Sequence, residues 1–180
     1  AGQIQGYFNI PVDNIYAAPV LLNYIRKHFD NDLVIVSPDA GGVERARAFA
    51  KRLAADLAII DKRRSAPNVA KAMAVIGNVK DKVAIILDDM VDTAGTITFA
   101  AGMMKSEGAR SVRVVATHPV LSGPAYERIE QSPIDEVIVT DTIPLKREAE
   151  KIKVLTVADH FADVIDKVYN YKSISDTFLN

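Results

Sequence analysis

VAIILDDMVDTAGT, residues 83–96, is the stretch on which the fold of this chain turns. Five apolar residues run straight into Asp88 and Asp89; Asp92 follows, and then the small-residue run Thr93-Ala94-Gly95-Thr96. A continuous apolar run reads as a strand buried on both faces. The amphipathic run over 97–107 reads as a helix whose first turn leaves N–H groups free. Those groups, with the hydroxyls of Thr93 and Thr96, suit a phosphate. Asp88 and Asp89, at the strand's end, suit the hydroxyls of a sugar or a metal-bound water. The plainer alternative is a strand ended by an acidic turn, with Thr96 as helix N-cap.

Outward from this unit the chain alternates. Helical spacing is expected over 17–29, with Pro19 in the first turn and Leu21, Leu22, Ile25 and Phe29 on one face. Strand 33–36, helix 42–55 and strand 57–60 follow. Residues 61–68 read as a charged loop, and 69–77 as a strand or hairpin. Gly108 closes the helix that starts at Gly95. Beyond it come a strand over 112–116, a helix to about 132, strands over 137–139 and 154–157, and a closing helix over 158–169. Strand–helix alternation predicts a parallel sheet with helices on both faces, and ligands outside the carboxyl ends of its strands.

Several of those ends carry chemistry. After strand 33–36 comes Ser37-Pro38-Asp39-Ala40-Gly41-Gly42. Its glycines let backbone N–H groups approach an anion, and Asp39 offers oxygen to Mg²⁺; a tight turn with a helix cap explains the same residues. After strand 57–60 come Lys62, Arg63 and Arg64, cations of the kind that stabilise phosphoryl transfer, or simply a solvated loop. His118 either contacts a ligand or fills a turn, and 140–144 is a polar, proline-closed loop where an effector or substrate could rest. His28 and His160 read as structural or surface groups. No GxGxxG follows a strand, and Walker A, HExxH and GxSxG sequences are absent.

Composition narrows the classes. At 180 residues, 49% hydrophobic and 25% charged, the chain is long enough for one sizeable core. A net charge of −1, with no basic run longer than residues 62–64, disfavours nucleic-acid or membrane-surface binding. The chain has no cysteine, which excludes disulfides and thiolate chemistry. No apolar stretch reaches membrane-spanning length and no secretory pattern opens the chain, so a cytoplasmic location is expected. Residues 1–6 carry neither an initiator Met nor a capping or strand signal, as in a mid-chain segment. The expected organisation is 1–16 as a linker or remnant of an upstream domain, 17–158 as the sugar-phosphate-binding domain and 159–180 as a C-terminal helix and tail.

Taken together, residues 34–42, 59–68, 83–96, 117–124 and 141–144 resemble the blocks of the ribose-phosphate diphosphokinases (phosphoribosyl pyrophosphate, or PRPP, synthetases), in that family's order. Residues 1–16 resemble its mid-chain segment and 173–178 its end. The resemblance spans essentially the whole chain but only the later half or so of a family member. It implies a phosphoribosyltransferase-type fold, two such domains per subunit, and a homohexamer with active sites at interfaces. It places ribose 5-phosphate at Asp92, Thr93, Ala94, Gly95 and Thr96, and the ribose hydroxyls at Asp88 and Asp89. Asp39, Ala40, Gly41 and Gly42 resemble the pyrophosphate loop, with Asp39 the Mg²⁺ ligand, and Lys62 and Arg64 the catalytic pair of the flexible loop. The implied reaction moves the diphosphoryl group of ATP to ribose 5-phosphate, giving PRPP and AMP. In the family, a metal-binding histidine precedes the position of Ala1 and an upstream domain supplies most of the adenine pocket, so impaired turnover is expected of these 180 residues. Two other classes fit the residues: a non-catalytic regulatory or binding relative, and a PRPP-dependent phosphoribosyltransferase. The 62–64 block and 117–124 favour the synthetase, and no hood segment for a nucleobase is assignable.

Overall fold

The computed structural model describes residues 2–29, 32–63 and 72–177. After a 3₁₀ turn (Gly2–Tyr7) come helix α1 (Ala18–His28), strand β1 (Leu33–Ser37), α2 (Val43–Leu53), β2 (Asp56–Arg63) and β3 (Ala72–Ile76). Then follow β4 (Val83–Val91), α3 (Gly95–Ser106), β5 (Ser111–Pro119), α4 (Ala125–Gln131), β6 (Glu136–Thr140), β7 (Ile152–Leu155) and α5 (Ala158–Tyr169). The strands form one seven-stranded sheet in the order β3-β2-β1-β4-β5-β6-β7. Every pairing is parallel except β2 with β3.

Each central strand sends alternate side chains to opposite faces, and both faces are covered. On one face Val34, Val36, Ala84, Ile86, Val112 and Val114 pack with Ile97, Ala100 and Met104 of α3 and Ile129 of α4. On the other, Ile35, Ile85, Leu87 and Val115 pack with Leu21, Leu22 and Ile25 of α1 and Phe49 of α2. This is the α/β architecture, helices on both faces, that the alternation predicted.

The strand order reverses between β1 and β4. From β1 the chain builds outward through β2 and β3, then returns to place β4 on β1's other side. In open α/β sheets the crevice at such a switch point is where ligands bind. It falls between residues 38–42, after β1, and residues 88–96, at the end of β4.

Several boundaries differ from the sequence reading, most of them because hydrogen bonding to a neighbouring strand outlasts the apolar run. β4 continues to Val91 on β5, with Asp88 opposite Ala116 and Met90 opposite His118, so Asp88 and Asp89 lie within the strand. Thr117, His118 and Pro119 likewise belong to β5. Asp61, Lys62 and Arg63 extend β2 rather than opening a loop, opposite Ala74, Met73 and Ala72 of antiparallel β3. The strand read at 154–157 is β7 at Ile152–Leu155, and Val157 is the N-cap of α5.

Gly77 fixes the chain's exit from that edge hairpin. Its φ is +116°, and a Cβ there would lie 2.7 Å from the Leu57 carbonyl oxygen and 3.0 Å from Ala58 Cα. Both the backbone angle and the close approach demand glycine. Gly77→Ala should lower the unfolding free energy by about 1–3 kcal/mol, seen as a lower urea midpoint at unchanged m-value. An unchanged midpoint would show that the hairpin's exit is not fixed there.

Candidate functional site

Three loops converge at the switch point. The first follows β1. The Ser37 hydroxyl, fully buried, donates to the Asp39 carbonyl at 2.7 Å, and Asp39 Oδ1 accepts the Gly42 N–H at 3.0 Å. Asp39 thus closes a turn onto the start of α2. A Cβ on Gly42 would lie 2.8 Å from Ser37 Oγ, so the turn can be this tight only with glycine.

The second group is the acidic pair on β4. Asp88 Oδ1 accepts the Asp89 N–H at 2.9 Å. Arg45, in the first turn of α2, spans both carboxylates: Nη1 lies 3.6 Å from Asp88 Oδ1 and Nη2 3.2 Å from Asp89 Oδ2. Its Nη1 is buried with no hydrogen-bond partner among the described residues. Burial pushes the Asp88 carboxyl up to about 6, outweighing the Asp89 N–H and the Arg45 charge that pull it down. For Asp89 burial acts the same way, but the Arg45 guanidinium and the hydrogen bonds with Asp88 and the backbone hold it below the usual carboxylate range. Arg45 carried no sequence signal beyond standing three residues after Gly42.

The third is the loop from β4 to α3. Its carbonyls are all engaged from outside. Val91 O accepts from Leu121 N (2.9 Å), Asp92 O from Ser122 N (3.1 Å), Thr93 O from Arg128 Nη1 (2.9 Å) and Ala94 O from Thr98 N (3.0 Å). The Ser122 hydroxyl also donates to Asp92 Oδ1. No described residue accepts from the N–H groups of Thr93, Ala94, Gly95 or Thr96, or partners the hydroxyls of Thr93 and Thr96. A loop with its carbonyls spent and its amides free has the chemistry to receive an anion. Thr96 is not the helix cap: Ala94, left-handed at φ +61°, holds that position without a side-chain bond. Arg128, which tethers the loop together with Ser122 of the 117–124 block, went unnoticed in the sequence because it lies 35 residues after Thr93.

Two cavities mark the crevice. One, about 230 Å³, is lined by Asp88 and residues 90–97. The other, about 540 Å³, brings together Gly41, Glu44, Arg45, Asp88, Asp89 and His118 among its walls. Asp88 belongs to both, so the acidic pair stands between the amide-lined loop and the β1–α2 turn. Lys62 is placed by the backbone near the end of β2, opposite Met73; Arg64 lies outside the described residues, as does most of the charged loop.

The remaining loop groups are spent internally. His118 Nδ1 meets Thr142 Oγ1 at 2.9 Å, and the Thr140 hydroxyl donates to the Thr117 carbonyl at 2.8 Å. Asp141 accepts the N–H of Val157, the N-cap of α5, at 2.9 Å, and the Thr156 hydroxyl and that N–H lower its carboxyl.

Known proteins match this arrangement. The model of the phosphoribosyl synthetase-associated domain matches residues 62–179. The ribose-phosphate pyrophosphokinase of Wolinella succinogenes is 53% identical over 180 residues, covering 99% of this chain and 58% of the relative. The crystal structure of phosphoribosylpyrophosphate synthetase from Mycobacterium smegmatis, 40% identical, superposes with a TM-score of 0.85 over 95% of this chain and 56% of that one. A crystal structure of an adenine phosphoribosyltransferase, 14% identical, shares the fold at a TM-score of 0.52, covering 68% of this chain and 75% of that one. The chain thus spans somewhat more than half the length of the synthetases it matches, and its sheet is of the phosphoribosyltransferase type. By the domain match and its agreement with the fold, the chain belongs to the phosphoribosyl synthetase family.

Proposed function

We propose that these 180 residues form the ribose-phosphate-binding part of a ribose-phosphate pyrophosphokinase. The observation that carries this reading is the loop after β4, with free amides beside the paired carboxylates Asp88 and Asp89. The free N–H groups of residues 93–96 and the Thr93 and Thr96 hydroxyls hold the 5-phosphate, and Asp88 and Asp89 accept hydrogen bonds from the ribose hydroxyls. This fixes the sugar so that its anomeric hydroxyl faces the β1–α2 turn. That oxygen attacks the β-phosphorus of ATP and loses its proton. The bond from the β-phosphorus to the oxygen bridging the α-phosphorus breaks, and AMP leaves.

The backbone of Asp39, Ala40, Gly41 and Gly42 cradles the diphosphoryl group. Asp39 Oδ1 is engaged by Gly42, which leaves Oδ2 for a cation. Mg²⁺ is typically held by one or two carboxylates together with substrate phosphates, so Asp39 fits as its protein ligand. When bound, Mg²⁺ supplies charge neutralisation at the transferring group. Lys62 and Arg64 add positive charge there. The assembly this reading implies is a cytoplasmic homohexamer. Exposed Tyr7, Ile10, Ile165, Tyr169 and Tyr171 are apolar surface that a further domain or a partner subunit would cover.

Calorimetry with ribose 5-phosphate tests the cradle. Asp88→Ala combined with Thr93→Ala should abolish measurable binding, and unaltered binding would refute this placement. With ATP, Mg²⁺ and ribose 5-phosphate, the 180-residue chain should release AMP far more slowly than a full-length relative. A rate equal to the relative's would overturn the part-site reading, and nucleotide formed from PRPP and a nucleobase would favour a phosphoribosyltransferase.

Asp88 gives the site a pH signature. Binding should weaken as pH falls through about 6, where Asp88 gains a proton and loses acceptor capacity. The ligand's phosphate also titrates near pH ~6, so the Asp88→Asn profile should keep only that component. For stability the sign is opposite. A carboxyl raised from 3.8 to about 6 binds its proton more tightly folded than unfolded. Its contribution therefore favours the fold at low pH and is lost as pH rises through about 6. Asp88→Asn should accordingly raise the Tm more at pH 8 than at pH 5, and equal shifts at the two pH values would contradict the burial argument.

A further inference from the structure

Every peptide bond in the described chain is trans, and in a trans peptide the carbonyl and the following N–H point in opposite directions. Whatever holds a loop carbonyl outward therefore holds the next N–H inward. From β4 to α3, the Val91, Asp92 and Ala94 carbonyls are held by backbone N–H groups of Leu121, Ser122 and Thr98. The Thr93 carbonyl is different. It is held by the Arg128 guanidinium, from α4, at 2.9 Å. The guanidinium passes close to Gly95, where a Cβ would lie 3.4 Å from Arg128 Nη1, an ordinary contact.

We infer that Arg128 is a positioning residue which, by holding the Thr93 carbonyl, aims the Ala94 N–H into the anion cradle. The inference rests on the reading of residues 92–96 as a phosphate site. Arg128 acts on the cradle's geometry from behind and makes no contact with the ligand. Ala94 is the loop's left-handed residue, at φ +61°, a conformation that local backbone preference disfavours for a residue with a Cβ. An outside tether has most to do at that point. A charged donor bonded to a carbonyl is stronger than a neutral one, which suits a guanidinium to the task.

Arg128→Met removes the tether. The side chain is exposed, so its truncation leaves the core untouched, and Arg128→Lys keeps a single donor. Ribose 5-phosphate binding should weaken about tenfold in Arg128→Met, the scale of losing a supporting hydrogen bond behind a ligand-holding group, and recover in part in Arg128→Lys. In amide NMR the Ala94 resonance should move on adding ribose 5-phosphate to the unsubstituted chain and stay still in Arg128→Met. Arg128→Met binding as tightly as the parent would overturn the inference. Weaker binding with an intact Ala94 response would overturn it as well, since Arg128 would then contact the ligand itself. If the unsubstituted chain does not bind ribose 5-phosphate at all, the cradle reading falls and takes this inference with it. Tight parent binding with an indifferent Arg128 removes only the inference.

Discussion

β4 outruns β1, and the site depends on that inequality. β1 pairs with β4 only as far as Val36 opposite Ile86, whereas β5 stays with β4 through Val91 opposite Pro119. Through Ile86 the strand has sheet on both sides, and through Leu87 it packs against apolar helices, so only hydrophobic residues are tolerated there. Past that point one flank is open. Carboxylates can then stand on a rigid strand with water on one side and a buried backbone on the other. Asp88 and Asp89 occupy this ledge, with Asp88 a wall of both cavities. The order reversal of the sheet puts the glycine turn after β1 next to it. Without a shorter β1 the acidic pair would be sealed in the sheet, and without a longer β5 it would sit on a loop.

The electrostatics follow from the same placement. A half-buried carboxylate resists ionisation, and a second one beside it adds repulsion. Arg45 divides its guanidinium between the two, but its better contact, at 3.2 Å, goes to the more exposed Asp89. One carboxyl is therefore held low and the other raised. The buried Nη1 has no hydrogen-bond partner among the described residues, so the pairing of Arg45 with the two carboxylates leaves one donor unsatisfied.

Much of this was legible because composition encodes burial. The apolar run at 83–87, the glycines after β1 and the helical spacing of Leu21, Leu22 and Ile25 each have one natural structural meaning. The two-faced sheet follows from their order. Strand ends were less legible. Asp61 to Arg63 and Thr117 to Pro119 look like loops by residue type, yet a neighbouring strand provides their hydrogen bonds. Pairing decided these residues, and pairing is a property of two segments that no single window displays. The tethers Arg45 and Arg128 were silent for a related reason. An arginine on a helix surface reads as solubility until the fold reveals the carbonyl or carboxylate it faces.

Ala94 shows how such a loop is held in an uncommon conformation. A left-handed backbone costs a residue with a Cβ about 1–2 kcal/mol, and glycine would avoid that cost. Alanine is used, and its methyl is buried in the core with Ile97 and Ala101 of α3. A buried methyl returns roughly 0.8 kcal/mol, which leaves the conformation still somewhat unfavourable. The balance must be tipped from outside the residue. Thr98 does so from the helix side, where both its N–H and its hydroxyl donate to the Ala94 carbonyl, and the segments around Ser122 and Arg128 do so from the other. The sequence motif therefore specifies small size and hydroxyls, while the orientation of the amides is imposed by neighbours about 30 residues away. A copy of the motif placed on another scaffold would carry the composition of an anion site without its geometry.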